Sequence, residues 1–139
     1  MRPPTILSYF GSKLKVAPKI WRYLGEVDHY LEPFFGSGAV FFARPRPGRA
    51  TLNDLDGFVV NFWRAVAKDP EAVARLLDWP VSELDLTARH RWLCDSKRKR
   101  SFLLRMETEP DFSDPKVAAW WAWGLCAWLG KGLCKWEWC

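Results

Sequence analysis

Between residues 29 and 54 the order of residue types leaves few ways for the chain to fold. His29-Tyr30-Leu31-Glu32 reads as a short strand. Pro33-Phe34-Phe35-Gly36-Ser37-Gly38 follows as a glycine turn, and Ala39-Val40-Phe41 continues a helix that begins near Ser37. After the loop Arg44-Pro45-Arg46-Pro47-Gly48, the stretch Ala50-Thr51-Leu52-Asn53-Asp54 reads as a second short strand ending at Asn53 and Asp54. Strand, helix, strand, helix is the alternation that opens a parallel α/β sheet. Two strands alone do not make a stable open sheet, so the pattern implies more sheet than these residues supply.

The same stretch carries chemistry. Glycines after a strand let backbone N–H groups approach an anionic group at a helix N-terminus. A carboxylate at the end of the next strand can accept both hydroxyls of a ribose. Asp54 lies 18 residues after Gly36, near the roughly 20 expected of nucleoside-binding α/β folds. A dinucleotide fingerprint wants a third glycine at position 41, where this chain has Phe41. That bulk disfavours a pyrophosphate and leaves room for a smaller nucleoside such as S-adenosylmethionine. Taken alone, Gly-x-Gly after a strand is as often a structural turn. Upstream, Tyr9-Phe10-Gly11-Ser12-Lys13 is either a solvated arm or a second wall. In the second reading Lys13 meets a carboxylate, and Tyr9 or Phe10 covers a cationic group such as a sulfonium.

The remainder reads as helical. Leu14, Ala17, Trp21 and Leu24 have helical spacing, with Pro18 suited to a first turn. Phe58, Val59, Phe62, Trp63 and Val66 form one apolar face ahead of Pro70. Further helices are expected over Pro70 to Trp79, from the cap Ser82 to about Leu93, over residues 101–106, and from Asp114 to about Leu129. The 10 tryptophans exclude a solvated tail, and Trp120, Trp121, Trp123 and Trp128 read first as core and second as base-stacking rings. Lys97-Arg98-Lys99-Arg100 reads as a solvated loop or as a phosphate contact. Residues 1–88 hold 11 basic and 10 acidic side chains and residues 89–139 hold 10 and 6, so the net charge of +5 falls mostly late in the chain. A polyanionic partner suits that bias.

Val117 to Gly130 is the longest uncharged apolar stretch, shorter than the roughly 20 residues a bilayer needs. The N-terminal residues lack a secretory apolar run. The expectation is a cytoplasmic protein without membrane contact, with Cys94, Cys126, Cys134 and Cys139 reduced. No Cys-x-x-Cys pair suggests a metal site.

These residues resemble a known family. Tyr9-Phe10-Gly11-Ser12-Lys13, then Glu32-Pro33-Phe34-Phe35-Gly36-Ser37-Gly38-Ala39-Val40, then Leu52-Asn53-Asp54 with Asn61-Phe62-Trp63, look like the Dam-type (D12 class) adenine-N6 DNA methyltransferases, in the same order. Arg89-His90-Arg91-Trp92-Leu93 and Ala118-Ala119-Trp120-Trp121-Ala122-Trp123-Gly124-Leu125 continue the likeness. It implies a Rossmann-like S-adenosylmethionine-dependent sheet followed by a mostly helical segment. It also implies methyl transfer to an adenine extruded from double-stranded DNA, as in restriction-modification. The implied cofactor-binding residues are Tyr9, Phe10, Gly11, Lys13, Phe35, Gly36, Gly38 and Asp54. The implied nucleic-acid residues are Lys97, Arg98, Lys99 and Arg100.

The family's catalytic Asp-Pro-Pro-Tyr tetrapeptide, or its Asn/Ser-Pro-Pro-aromatic variant, does not occur. Asp69-Pro70 runs into Glu71 and Asp114-Pro115 into Lys116. No catalytic or metal-binding residue is therefore assigned. The expectation is a donor-binding portion over 1–80 and a basic helical segment over 81–139, from a truncated or split enzyme inactive alone, with a second chain as the source of the catalytic motif. The rival is a non-catalytic nucleic-acid-binding or interaction protein built on the same fold.

Overall fold

The computed structural model describes residues 7, 9, 11–129 and 133. Backbone contacts divide the chain after Leu55 into two units.

The first unit is mixed α/β. Helix α1 spans Ala17–Leu24, strand β1 His29–Glu32, helix α2 Ala39–Phe42 and strand β2 Arg49–Leu52. Pro18 occupies the first turn of α1, where its missing N–H costs nothing. β1 and β2 run parallel, with His29 opposite Arg49 and Glu32 opposite Leu52. Pairing continues past β2, because Asn53 N–H donates to Glu32 O at 2.9 Å and Phe35 N–H to Asn53 O at 2.8 Å. Helix α2 is a single turn that starts at Ala39 rather than near Ser37, because Gly38 at its N-terminus takes left-handed backbone. Proline at 45 and 47 pushes the residue before each away from helical backbone, and Arg44 closes the loop by donating to Val27 O at 2.6 Å and Arg49 O at 3.1 Å. The core is Ala17, Trp21, Tyr30 and Val40, with Phe41 and Ala50 packed beside it. The Trp21 indole N–H donates to Val40 O at 2.7 Å, tying α1 to α2. Among the described residues the sheet has these two strands.

The second unit is helical: α3 Gly57–Lys68, α4 Pro70–Leu77, α5 Glu83–Cys94, α6 Ser96–Thr108 and α7 Pro115–Ala127. Residues 56–80, grouped by the sequence reading with the first portion, form α3 and α4 and pack on α7. Each helix starts at an acidic or hydroxyl cap whose side chain accepts from the first turn: Asp56, Asp69, Ser82, Asp95 and Asp114. The expected apolar face of α3 holds, with Phe58, Val59 and Phe62 buried. Phe58 stacks on Phe102 at 5.4 Å and on Trp121 at 6.1 Å. Trp121 and Trp123 are buried, as a core reading requires. Arg89 is buried too, its guanidinium 4.2 Å from the Trp123 ring centre and 5.1 Å from those of Trp79 and Trp120. Three indole faces thus stand in for the water that the cation has lost. Lys97 to Arg100 lie on the first turns of α6 rather than in a loop, because Asp95 Oδ1 accepts from Arg98 N–H and starts the helix there.

No described helix is long and apolar enough to cross a membrane. Among the described residues no group of ligating side chains could hold a metal, and Cys94 and Cys126 are free thiols. Cys134 and Cys139 lie outside the described residues.

Candidate functional site

The continued strand pairing sets Asp54 opposite the glycine turn. Gly36 has φ 50° and Gly38 φ 69°, the left-handed region that glycine enters without strain. This backbone curls the turn so that Gly36 N–H donates to Asp54 Oδ2 at 2.8 Å. Gly38 N–H donates to Phe35 O at 2.9 Å. These two amides are therefore satisfied inside the protein, whereas the sequence reading aimed the turn's N–H groups at a ligand anion. What the turn offers a ligand is the Asp54 carboxylate, fixed in place by the Gly36 amide.

The N-terminal segment forms a second wall. Ser12 and Ser37 hydroxyls are 3.1 Å apart. A Cβ on Gly36 would come within 3.2 Å of Cδ1 of Tyr9, so the tyrosine ring lies directly over the turn. Lys13 Nζ donates to Phe34 O at 3.1 Å and stands 3.9 Å from Glu32 Oε1. The carboxylate that Lys13 meets is thus one of the protein's own. Tyr9, Gly11, Lys13, Phe35, Gly36 and Asp54, all singled out from the sequence, line one cavity of about 270 Å³ together with Ser12, Glu32, Ser37 and Val40. Gly38 belongs to the same turn but does not line that cavity, and a Cβ on it would meet the rings of Phe42 and Phe35. Phe10 lies outside the described residues.

Glu32 joins this site although no spacing or motif in the sequence marks it for a role. Strand alternation puts Tyr30 and Glu32 on the buried face of β1, so a carboxylate occupies a position where an apolar side chain would be expected. Only 5% of Glu32 is exposed, and its Oε2 is buried without a hydrogen-bond donor. Burial pushes its carboxyl above the ordinary glutamate range, and nearby Asp54 adds to this. The Tyr30 hydroxyl, Lys13 and the Phe41 backbone pull the other way. Burial, reinforced by Glu32, likewise raises the Tyr30 phenol. An orphaned buried acceptor costs stability unless a donor reaches it. The cavity therefore holds two acidic acceptors, an adjacent ammonium and an aromatic face. Such a set suits a ligand with donors at two points and a cationic or aromatic part between them. The helical residues Lys97 to Arg100 belong to the other unit.

Comparison with known proteins gives the family of the chain. The family model of D12 class N6 adenine-specific DNA methyltransferases matches residues 9–92, which take in the whole of this site, and the chain belongs to that family. It is 35% identical over 78 residues to the type II methyltransferase M1.LlaDCHI of Lactococcus lactis subsp. cremoris, covering 55% of this chain and 26% of that protein. It is 27% identical over 99 residues to the DNA N-6-adenine-methyltransferase of Escherichia phage P1, covering 71% of this chain and 11% of that one. The chain thus spans about a quarter of the first relative's length and about a tenth of the second's. No solved structure matches it. Enzymes of the D12 family generally take the methyl group from S-adenosylmethionine.

Proposed function

We infer that the chain carries the methyl-donor half of a DNA adenine-N6 methyltransferase, and that β1 and β2 open its Rossmann-like sheet. The single observation behind this reading is the Asp54 carboxylate held on the glycine turn at 2.8 Å, at the edge of a cavity containing an unpaired buried carboxylate oxygen. The residues fit S-adenosylmethionine. Asp54 would take the ribose hydroxyls. Glu32 would receive the ammonium of the methionine end, and Lys13 its carboxylate. Tyr9 and Phe35 would wall the sulfonium and adenine. When bound, the cofactor supplies an electrophilic methyl group. The chain's own contribution is to orient that group and keep water from it.

No Pro-Pro-aromatic tetrapeptide occurs among the 139 residues, so nothing here grips a target amine. The donor half without the acceptor half binds and does not transfer. Double-stranded DNA is the substrate this reading assigns to the whole enzyme, with Lys97, Arg98, Lys99 and Arg100 on phosphates. A second chain is one source of the catalytic motif.

Calorimetric titration with S-adenosylmethionine tests the reading. The 139-residue protein is expected to bind it and to leave duplex DNA unmethylated. Asp54→Asn keeps an oxygen for the Gly36 amide but loses the charge. Loss of a charge-assisted hydrogen bond is worth about 1.5–3 kcal/mol, so binding should weaken roughly 10- to 100-fold. Glu32→Gln is expected to weaken binding similarly while removing a pH dependence from the fold. A raised carboxyl pKa means that the folded state holds more protons than the unfolded one just above the ordinary glutamate range. Stability contributed at Glu32 therefore falls as pH rises through that window, and the glutamine variant should lack this fall. Salt-sensitive DNA binding without any cofactor binding would favour the non-catalytic rival.

A further inference from the structure

Helix α1 carries a cationic face that neither the donor cavity nor the core uses. Ala17 and Trp21 are buried, and the indole bond to Val40 O fixes which side of the helix points inward. At 3.6 residues per turn, Lys15, Lys19 and Arg22 then fall together on the opposite side, and all three are exposed. Lys15 lies in the turn leading into α1, where Val16 and Ala17 N–H donate to Lys13 O at 3.0 and 2.8 Å. The row therefore begins beside Lys13, a wall of the donor cavity. Lys19 and Arg22 flank the exposed Tyr23 ring, 6.0 and 5.6 Å from its centre, near the outer limit of cation–π contact. A merely solvated helix face interleaves acidic side chains that pair at i, i+4, and α1 has none. Glu26, one turn beyond Arg22, pairs instead with Arg46 at 2.9 Å. Among the described residues none of the three cations has an ion pair. Division at Leu55 also regroups the charge: residues 1–55 hold 8 basic and 4 acidic side chains. Of those acids, Glu32 and Asp54 line the cavity and Glu26 is paired, which leaves Asp28.

We propose that the Lys15, Lys19 and Arg22 face of α1 binds the phosphate backbone of paired duplex DNA without regard to sequence. The proposal rests on DNA being the substrate but not on the donor site. At about 1.5 Å of rise per residue the row runs about 10 Å. That length meets about three successive phosphates of one strand, which follow each other every 3.4 Å or so of duplex axis. Phosphates ask for charge and reach alone, so no base has to be read. A strand held on this face lies beside the donor cavity.

The test measures fluorescence anisotropy of two labelled, fully paired duplexes of unrelated sequence on the full 139-residue chain, across a range of salt concentrations. Lys15→Gln, Lys19→Gln and Arg22→Gln combined should weaken both duplexes alike. The salt slope should fall by about two to three, close to one per lost phosphate contact. Lys15→Arg, Lys19→Arg and Arg22→Lys combined keep the charges and should bind as the parent chain does. Arg75→Gln removes an exposed cation from the helical unit and should leave the slope unchanged. Circular dichroism melts of each variant report whether it folds. A glutamine variant that keeps the parent's slope would overturn the proposal, as would a loss confined to one duplex. So would an equal loss in the charge-keeping variant, or an equal loss per charge in Arg75→Gln. The readings separate cleanly. A parent chain that binds neither duplex sinks the DNA substrate together with this face, whereas a parent slope kept by the glutamine variant sinks the face alone.

Discussion

Replacing Gly38 by alanine is expected to unfold the first unit. The residue has φ 69°, and an added Cβ would lie 2.7 Å from Phe42 Cε2 and 3.0 Å from Phe35 Cζ. Left-handed backbone at a non-glycine residue costs about 1–3 kcal/mol. Overpacking against two rings, one of them the buried Phe35, adds about 1–3 kcal/mol. The sum of about 2–6 kcal/mol is set against a unit of 55 residues, a size at which net stability is small. Hydrogen exchange read by mass spectrometry resolves the effect. Peptides spanning α1, β1 and β2 should lose protection, with peptides of α3 and α7 as the internal comparison. Unchanged protection in β1 would show that Phe42 and Phe35 yield without cost.

The second large effect is expected at Asn61, which is 0% exposed. Its side-chain oxygen accepts from Asp114 N–H at 2.7 Å, and its side-chain nitrogen donates to Asp114 O at 2.9 Å. Asp114 in turn caps α7 through Lys116 and Val117 N–H. One side chain therefore fixes α3 to the start of the most buried helix. In Asn61→Leu the Asp114 carbonyl keeps the Ala118 N–H at 3.0 Å, but the Asp114 N–H loses its acceptor. An orphaned donor costs about 1–3 kcal/mol, and misfit around the branched side chain about 1–3 more. Asn61→Asp should be worse at neutral pH, since it buries a charge and sets oxygen against the Asp114 carbonyl. Its carboxyl pKa would rise on folding, so the folded state holds the extra proton and stability returns as pH falls. Thermal melts at neutral and acidic pH check both variants. A pH-independent loss in Asn61→Asp would contradict the hydrogen-bond account.

The elements were legible in the sequence where pattern and cap agreed. Phe58, Val59 and Phe62 with Pro70 behind them defined α3, and Ser82 gave the start of α5. The α6 start was missed because four successive cations at a helix N-terminus oppose the dipole, and the cap at Asp95 that outweighs them is a single residue. The single-turn α2 starts two residues later than its sequence suggests, because Gly38 takes left-handed backbone at its N-terminus and the composition of Ala39 to Phe42 does not reveal that. At the site, the spacing of Gly36 and Asp54 foretold their convergence. It did not foretell that the Gly36 amide is spent on Asp54 itself, since only the continued β1–β2 register decides which carbonyls and carboxylates reach the turn. Glu32 escaped assignment because burial, not spacing, marks it, and burial of one strand face is a tertiary fact.

Amide chemical-shift mapping by nuclear magnetic resonance on addition of S-adenosylmethionine tests the donor site most directly. The account expects saturable shifts at Ser12, Phe35, Gly36 and Asp54, and none in α4 or α5. Shifts centred on the helical unit, or a spectrum untouched by a large excess of the sulfonium compound, would contradict it.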